Sequence, residues 1–367
     1  MVFAEELRWL IFSTDTGKTG ICTAMKYTLP VPLSLGLMLS YKCNASCRHC
    51  LYACGPGWKA DWMGEADMDR ILEQLSGKIL PAPGGRDHIG LSHGLHITGG
   101  EPFLNFKLLC RAVELSEGHG IPSLFVETNC VWSTSDETTR EKLLILKDKG
   151  LKGIMISVNP FYLEFVPFER TERVIRIALE IFGYNTFVYQ LEYYRRFIEL
   201  GIRDSMPFAD YLKLEKRIDF ARNTEFFIMG RAPYSLTGVL EGMYPRYPAA
   251  RLFKEPCSPP FIRSWHNHID NYGNYIPGFC GGISLGDGRQ LDDLLKRGID
   301  LDDQPVLRYL VEDDFRGLFR MAAGMGYMAP EEGYYSKCHL CVDLRKYLNS
   351  KDHFRELSPG AFYDQFP

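Results

Sequence analysis

Apolar residues alternate through 33–41. Leu33, Leu35, Leu37, Leu39 and Tyr41 fall on one face, and Ser34, Gly36, Met38 and Ser40 on the other. That period of two predicts a strand with a bulky face and a small face. The small face either lines a crowded interior or leaves room for a ligand. Further on, Met68, Ile71, Leu72, Leu75 and Ile79 recur at i, i+3, i+4 spacing, which predicts an amphipathic helix. The two periods then alternate along the chain. Strands are expected at 95–98, 122–128, 152–158, 184–190 and 225–230. Helices are expected at 103–118, 168–182 and 136–149 (ended by Gly150), with helical material at 191–219. Repeated strand–helix units imply a parallel sheet with helices outside.

After Ala232 this pattern breaks. Pro, Gly and Tyr become dense through 233–248, which reads as a linker or irregular crossing segment. Trp265–Ile269 and Tyr275–Phe279 flank Asp270-Asn271-Tyr272-Gly273-Asn274, a hairpin signal that delivers Cys280 at its end. The expected organisation is an arm at 1–32, a main unit at 33–232, a cysteine-rich region at 233–350 and a tail at 351–367. The arm contains Thr16-Gly17-Lys18-Thr19, but Phe12 stands where a phosphate-binding loop needs its upstream glycine. A turn between two apolar pieces is the better reading.

At 367 residues the chain has room for one large domain and a smaller one. A net charge of −4 gives no basic footprint for nucleic acid. No apolar run is long enough to span a bilayer, so no membrane association is expected. Glu5 and Glu6 precede the short N-terminal apolar stretch, unlike a signal peptide. Eleven cysteines, several at metal spacing, point to a reducing compartment, and a cytoplasmic protein is expected.

The densest chemistry is Cys43-Asn44-Ala45-Ser46-Cys47-Arg48-His49-Cys50, with three thiols at C-x3-C-x2-C spacing. Three cysteines in one tight loop cannot all pair with each other, and they suit a single metal centre. Four thiolates would close an iron–sulfur cube; three leave one iron without a protein ligand. Zinc with ligands gathered from elsewhere is an alternative. So are reduced core cysteines, although the interleaved polar residues and cation fit a buried apolar run poorly. Downstream, the expected strand at 95–98 runs into Gly99-Gly100-Glu101-Pro102.

Taken together and in this order, the cysteine loop and Gly-Gly-Glu-Pro resemble the radical S-adenosylmethionine (radical SAM) enzymes. The resemblance implies an α/β partial (β/α)6 barrel. It further implies that Cys43, Cys47 and Cys50 hold a [4Fe–4S] cluster whose open iron takes S-adenosylmethionine. Gly99, Gly100, Glu101 and Pro102 would bind that cofactor, with Glu101 accepting from its ammonium group. His49 stands where the family usually has an aromatic residue, so its ring is expected near the adenine, with zinc ligation as the competing role. Asn129, in a Thr-Asn-Gly-like segment with Cys130 in place of glycine, Ser157 at the next strand end, and Arg170 are further cofactor-binding candidates. Such strand-end polar groups also serve as helix caps. Gly230-Arg231-Ala232 is similar to a segment common in relatives that carry an extra cluster domain. An electron donor such as a flavodoxin or ferredoxin is implied as a partner.

Cys257, Cys280, Cys338 and Cys341 supply four more thiols, and the region resembles the SPASM and twitch extensions of that family. Four thiolates match one fully ligated auxiliary [4Fe–4S] cluster; a structural zinc is the alternative. No role is fixed for Cys22, Cys54 or Cys130, and Cys110 is expected in the core. The implied activity is hydrogen abstraction from a peptide or small-molecule substrate. A zinc-stabilised scaffold without catalysis is the competing class. An RNA-modifying enzyme is disfavoured by the acidic charge.

Overall fold

The computed structural model describes residues 25–59, 61–215, 220 and 226–367. Cys22, Thr16–Thr19, residues 216–219 of the expected helical stretch and residue 225 lie outside them. A short β1 (Lys26–Tyr27) leads in. Five strands follow: β2 (Ser34–Met38), β3 (Gly94–Thr98), β4 (Phe125–Thr128), β5 (Gly153–Ser157) and β6 (Thr186–Tyr189), each parallel to the next. β7 (Asn267–Ile269) returns to pair in parallel with the other side of β2, and β8 (Tyr275–Ile276) runs antiparallel beside it. The sheet order is therefore β6-β5-β4-β3-β2-β7-β8. β9 (Ile299–Asp300) pairs antiparallel with β1, apart from this sheet.

Strands covered on both faces read as apolar runs, and Ile154, Met155 and Ile156 of β5 are all buried. Between the strands lie α1 (Glu65–Leu75), α2 (Phe106–Gly118), α3 (Asp136–Asp148), short α4 (Pro160–Leu163), α5 (Phe168–Phe182), α6 (Leu191–Glu199) and α7 (Phe208–Leu214), all but α4 at expected positions. α1 buries Met68, Ile71, Leu72 and Leu75, the stripe its spacing predicts. α3 starts where Ser135 accepts from the Thr138 amide, with Asp136 and Glu137 complementing the helix dipole in its first turn.

One expectation is corrected. Residues 226–230 of the expected sixth strand form no strand. Their polar backbone atoms find other partners: the Ile228 carbonyl accepts from Ser336 Oγ, and the Met229 amide donates to the Phe227 carbonyl. The hairpin expected in the cysteine-rich region is present, and its first strand covers the edge of β2. Tyr41 Oη fixes this junction through Asp270 Oδ2 at 2.9 Å, both groups buried. Among the described residues no helix is long and apolar enough to cross a membrane.

Candidate active site

The strand ends and the loops that follow them enclose a cavity of about 450 Å³, within the range of small-molecule sites. Cys43, Cys47 and Cys50 line it, together with His49, Gly99, Gly100, Asn129 and Ser157. All ten described cysteines are free thiols.

The cysteine loop is held from behind. Arg231 donates to the carbonyls of Cys47, Ala53 and Cys54 at 3.0, 2.7 and 2.9 Å, and its amide reaches the Cys50 carbonyl at 3.0 Å. Gly230 allows that approach: its φ is +57°, and a Cβ there would lie 2.6 Å from the Cys50 carbonyl oxygen. Arg48 grips Glu164, at the end of α4, with two bonds of 2.9 and 3.0 Å. With its carbonyls and one arginine tied back, the loop leaves its thiols to the cavity wall.

Burial pushes the Cys43 thiol up to about 12 and raises Cys47 as well. Cys50 differs. A hydrogen bond from Cys54 brings it down to about 6 against the opposing effect of burial, and Cys54 itself is raised. Cys54 also lines the cavity, so a fourth thiol stands beside the triplet. The C-x3-C-x2-C-x3-C spacing of Cys43, Cys47, Cys50 and Cys54 was the sequence signal for it.

Gly99 and Gly100 line the cavity, but their glycine requirement comes from the chain itself. A Cβ at Gly99 would fall 2.4 Å from the Ser40 carbonyl oxygen, and one at Gly100 would fall 1.9 Å from that of Lys42. The Gly100 amide bonds Ser40 and the Glu101 amide bonds Lys42, so this segment seats against the strand leading into the cysteine loop. Glu101 does not line the cavity. It is buried, and its carboxylate accepts from the Phe103 amide (3.2 Å), Thr128 Oγ1 (2.9 Å) and the Asn129 amide (2.8 Å). Burial, opposed by these three bonds, raises it to about 7. Its observed work is to clamp the end of β4 to the glycine turn. Pro102 is buried at the start of a 3₁₀ turn and is likewise absent from the lining.

Asn129 Nδ2 bonds Asn44 Oδ1 at 2.9 Å and lies 3.7 Å from Cys43 Sγ. Cys130 takes a left-handed backbone with φ 69°, the conformation glycine adopts most readily. It is fully buried away from the cavity. His49 stacks on Phe161 with ring centres 4.6 Å apart, and Asn159 Nδ2 lies 3.3 Å from its Nε2. Its Nδ1 is buried without a partner among the described residues, and burial lowers the ring to about 3, so it is neutral. Ser157 lines the cavity and bonds Tyr162. Arg170 is outside the lining and binds the Val131 carbonyl, so it does not serve the cavity wall.

Sequence reasoning missed part of the cavity wall: Tyr52, Glu127, His266 and His268 also line it, and His96 packs against His268. His266 and His268 show the i, i+2 spacing that places two side chains on one face of an extended segment.

The second cysteine group is also assembled. Burial raises Cys257 strongly and Cys280 to about 12, and in each case neighbouring thiols of the set add to the rise: Cys341, Cys280 and Cys338 at Cys257, and Cys338 and Cys341 at Cys280. Cys338 and Cys341 lie in the helix Lys337–Asn349, whose N-terminus is capped by Ser336 accepting from the His339 amide. A buried Arg345 bonds Cys341, the Gly281 carbonyl and Tyr363 Oη. Burial raises the Cys338 thiol to about 11 as well, with Lys337 and Arg345 opposing the rise.

No protein-family model and no curated protein matches the chain. Among solved structures, the chain is similar to BtrN in complex with AdoMet and 2-DOIA, with 14% identity, a TM-score of 0.45, and 78% of this chain and 89% of that chain covered. It is also similar to native anSMEcpe with bound AdoMet, with 13% identity, a TM-score of 0.39 and coverage of 74% and 83%. The same protein with bound AdoMet and the Kp18Cys peptide gives 13% identity, a TM-score of 0.37 and coverage of 71% and 78%.

Proposed function

We propose that the chain is a radical SAM enzyme acting on a peptide or small-molecule substrate, with one auxiliary cluster. One observation carries the reading: Cys43, Cys47 and Cys50 open onto a cavity whose adjoining walls are Gly99, Gly100, Asn129, Ser157 and His49. Three thiols beside open space are the donor set that a [4Fe–4S] cluster with one free iron requires. Bound there with S-adenosylmethionine, such a cluster supplies one-electron cleavage to a 5′-deoxyadenosyl radical that takes a substrate hydrogen atom.

The chain's own residues would do the rest. Gly99 and Gly100 present backbone to the cavity, Asn129 steadies Cys43 and Asn44, and neutral His49 offers a flat face and a bare Nδ1. The apolar groups Met155, Phe226, Phe227 and Phe279 line the same space and limit water at the reacting atoms. Glu101 supports this site through β4, in place of the direct ammonium contact that the motif suggested. Cys257, Cys280, Cys338 and Cys341 would hold the second cluster, fully ligated and suited to passing electrons. The C-x3-C-x2-C loop and the glycine turn meeting at one cavity support a cluster over zinc at the first site.

Anaerobic purification followed by metal analysis tests the proposal. Roughly eight irons per chain are expected from two four-iron clusters, with 5′-deoxyadenosine released on reduction in the presence of S-adenosylmethionine. Zinc as the sole metal in strictly anoxic preparations would end the enzyme reading. Cys338→Ala and Cys341→Ala should each lower iron toward about four per chain. Full iron in both variants would remove the auxiliary cluster while leaving the first site standing.

A further inference from the structure

We propose a mononuclear divalent-metal site at the cavity wall, with His96, His266 and His268 as ligands and Glu127 as the compensating carboxylate. It uses none of the cysteines and does not depend on the radical reading.

One ligand atom from each histidine lies within 4.8 Å of the other two. His96 Nε2 and His268 Nε2 are 3.2 Å apart. Two nitrogens bound to one tetrahedral zinc, each ~2.0–2.1 Å from it, stand ~3.3 Å apart. The pair therefore already has the separation of a coordination edge. Glu127 Oε1 lies 3.6 Å from His96 Nε2, while its other oxygen accepts from Thr98 Oγ1 at 2.8 Å.

The outer ring atoms are fixed as metal-bound histidines require. His268 Nδ1 faces the Gly278 carbonyl at 3.1 Å and Tyr52 Oη at 2.9 Å; His266 Nδ1 faces the Leu91 carbonyl at 3.2 Å. A carbonyl only accepts, so Nδ1 carries the proton in both rings and Nε2 keeps a bare lone pair. Main-chain carbonyls commonly orient metal-bound imidazoles in this way. Arg263 lies close enough to oppose a cation, and Glu127 answers that charge.

The neighbouring strand keeps the space clear. A Cβ on Gly36 of β2 would fall 2.4 Å from His96 Nε2 and 2.3 Å from His268 Cδ2. The small face of that strand thus accommodates imidazole rings. Three neutral nitrogens select a borderline ion of the zinc or ferrous class over magnesium or calcium. Three protein ligands also leave a position open toward the cavity, as in catalytic zinc sites, for a carboxylate, carbonyl or amine of the substrate.

The test equilibrates the full iron-loaded chain with Zn²⁺ under anoxic conditions, removes loose metal and measures zinc-edge X-ray absorption. About one retained zinc per chain is expected, with a nitrogen/oxygen shell at ~2.0–2.1 Å and imidazole scattering. His266→Gln and His268→Gln should lose that zinc while keeping full iron. No retained zinc, or a sulfur shell at ~2.3 Å, overturns the site. So does undiminished zinc in iron-replete variants. Should the variants unfold, the absorption spectrum of the parent chain decides. Iron content and 5′-deoxyadenosine release from the same sample report separately on the radical reading.

Discussion

Replacing Cys43, Cys47 and Cys50 together by alanine is expected to abolish 5′-deoxyadenosine release and remove roughly four of eight irons. The reason is that the two thiol groups share no residue: Cys257, Cys280, Cys338 and Cys341 come from other segments of the chain and stay intact. The remaining iron should keep a spectroscopic signature under anaerobic reduction. Cys54 makes the comparison sharper, since its thiol bonds Cys50 and lines the same cavity. If three thiolates suffice, Cys54→Ala keeps the iron and the 5′-deoxyadenosine. If Cys54→Ala alone sheds about four irons, and the parent chain never cleaves the cofactor, the site is a closed four-thiolate one. The proposed chemistry then has no open iron.

Gly100→Ala is expected to be the most damaging single methyl group that can be added near the site. Its Cβ would lie 1.9 Å from the Lys42 carbonyl oxygen and 2.9 Å from the Cys43 amide nitrogen. Both are backbone atoms, so no rotamer change relieves the clash. The cost should reach or exceed about 3 kcal/mol, the upper end for forced overpacking, and the displaced Lys42–Cys43 backbone should weaken cluster retention. Chemical denaturation and iron analysis read the two effects. Gly57→Ala is the control: no atom lies within 4 Å of its Cβ and its backbone carries no positive-φ strain. An unchanged midpoint with full iron in Gly100→Ala would show that the glycine turn does not press on the cysteine loop.

Much of this was legible in the sequence, and the exceptions have physical causes. Local periodicity carried β2 to β6 and the helices between them, because parallel strands and amphipathic helices each write their own period. The cysteine loop and the glycine turn were readable because their meaning lies in short spacing. The second neighbour of β2 was not readable, since β7 lies far downstream in the sequence and pairs on the side of β2 away from β6. Glu101 and Arg170 were assigned partners by motif and strand position, yet backbone and side-chain donors at the end of β4 meet Glu101, and a loop carbonyl meets Arg170. The histidines were hidden by distance: His96 and His268 are 172 positions apart and meet through sheet pairing on either side of Gly36.

The pairing of β7 with β2 also bears on how the polypeptide matures. Until Asn267–Ile269 has emerged from the ribosome, the first core strand presents a bare row of amides and carbonyls along one margin. Closing that margin joins partners widely separated along the chain, which is slow relative to forming a local turn. The cysteine loop that follows β2 is therefore made before the strand that completes the sheet beside it.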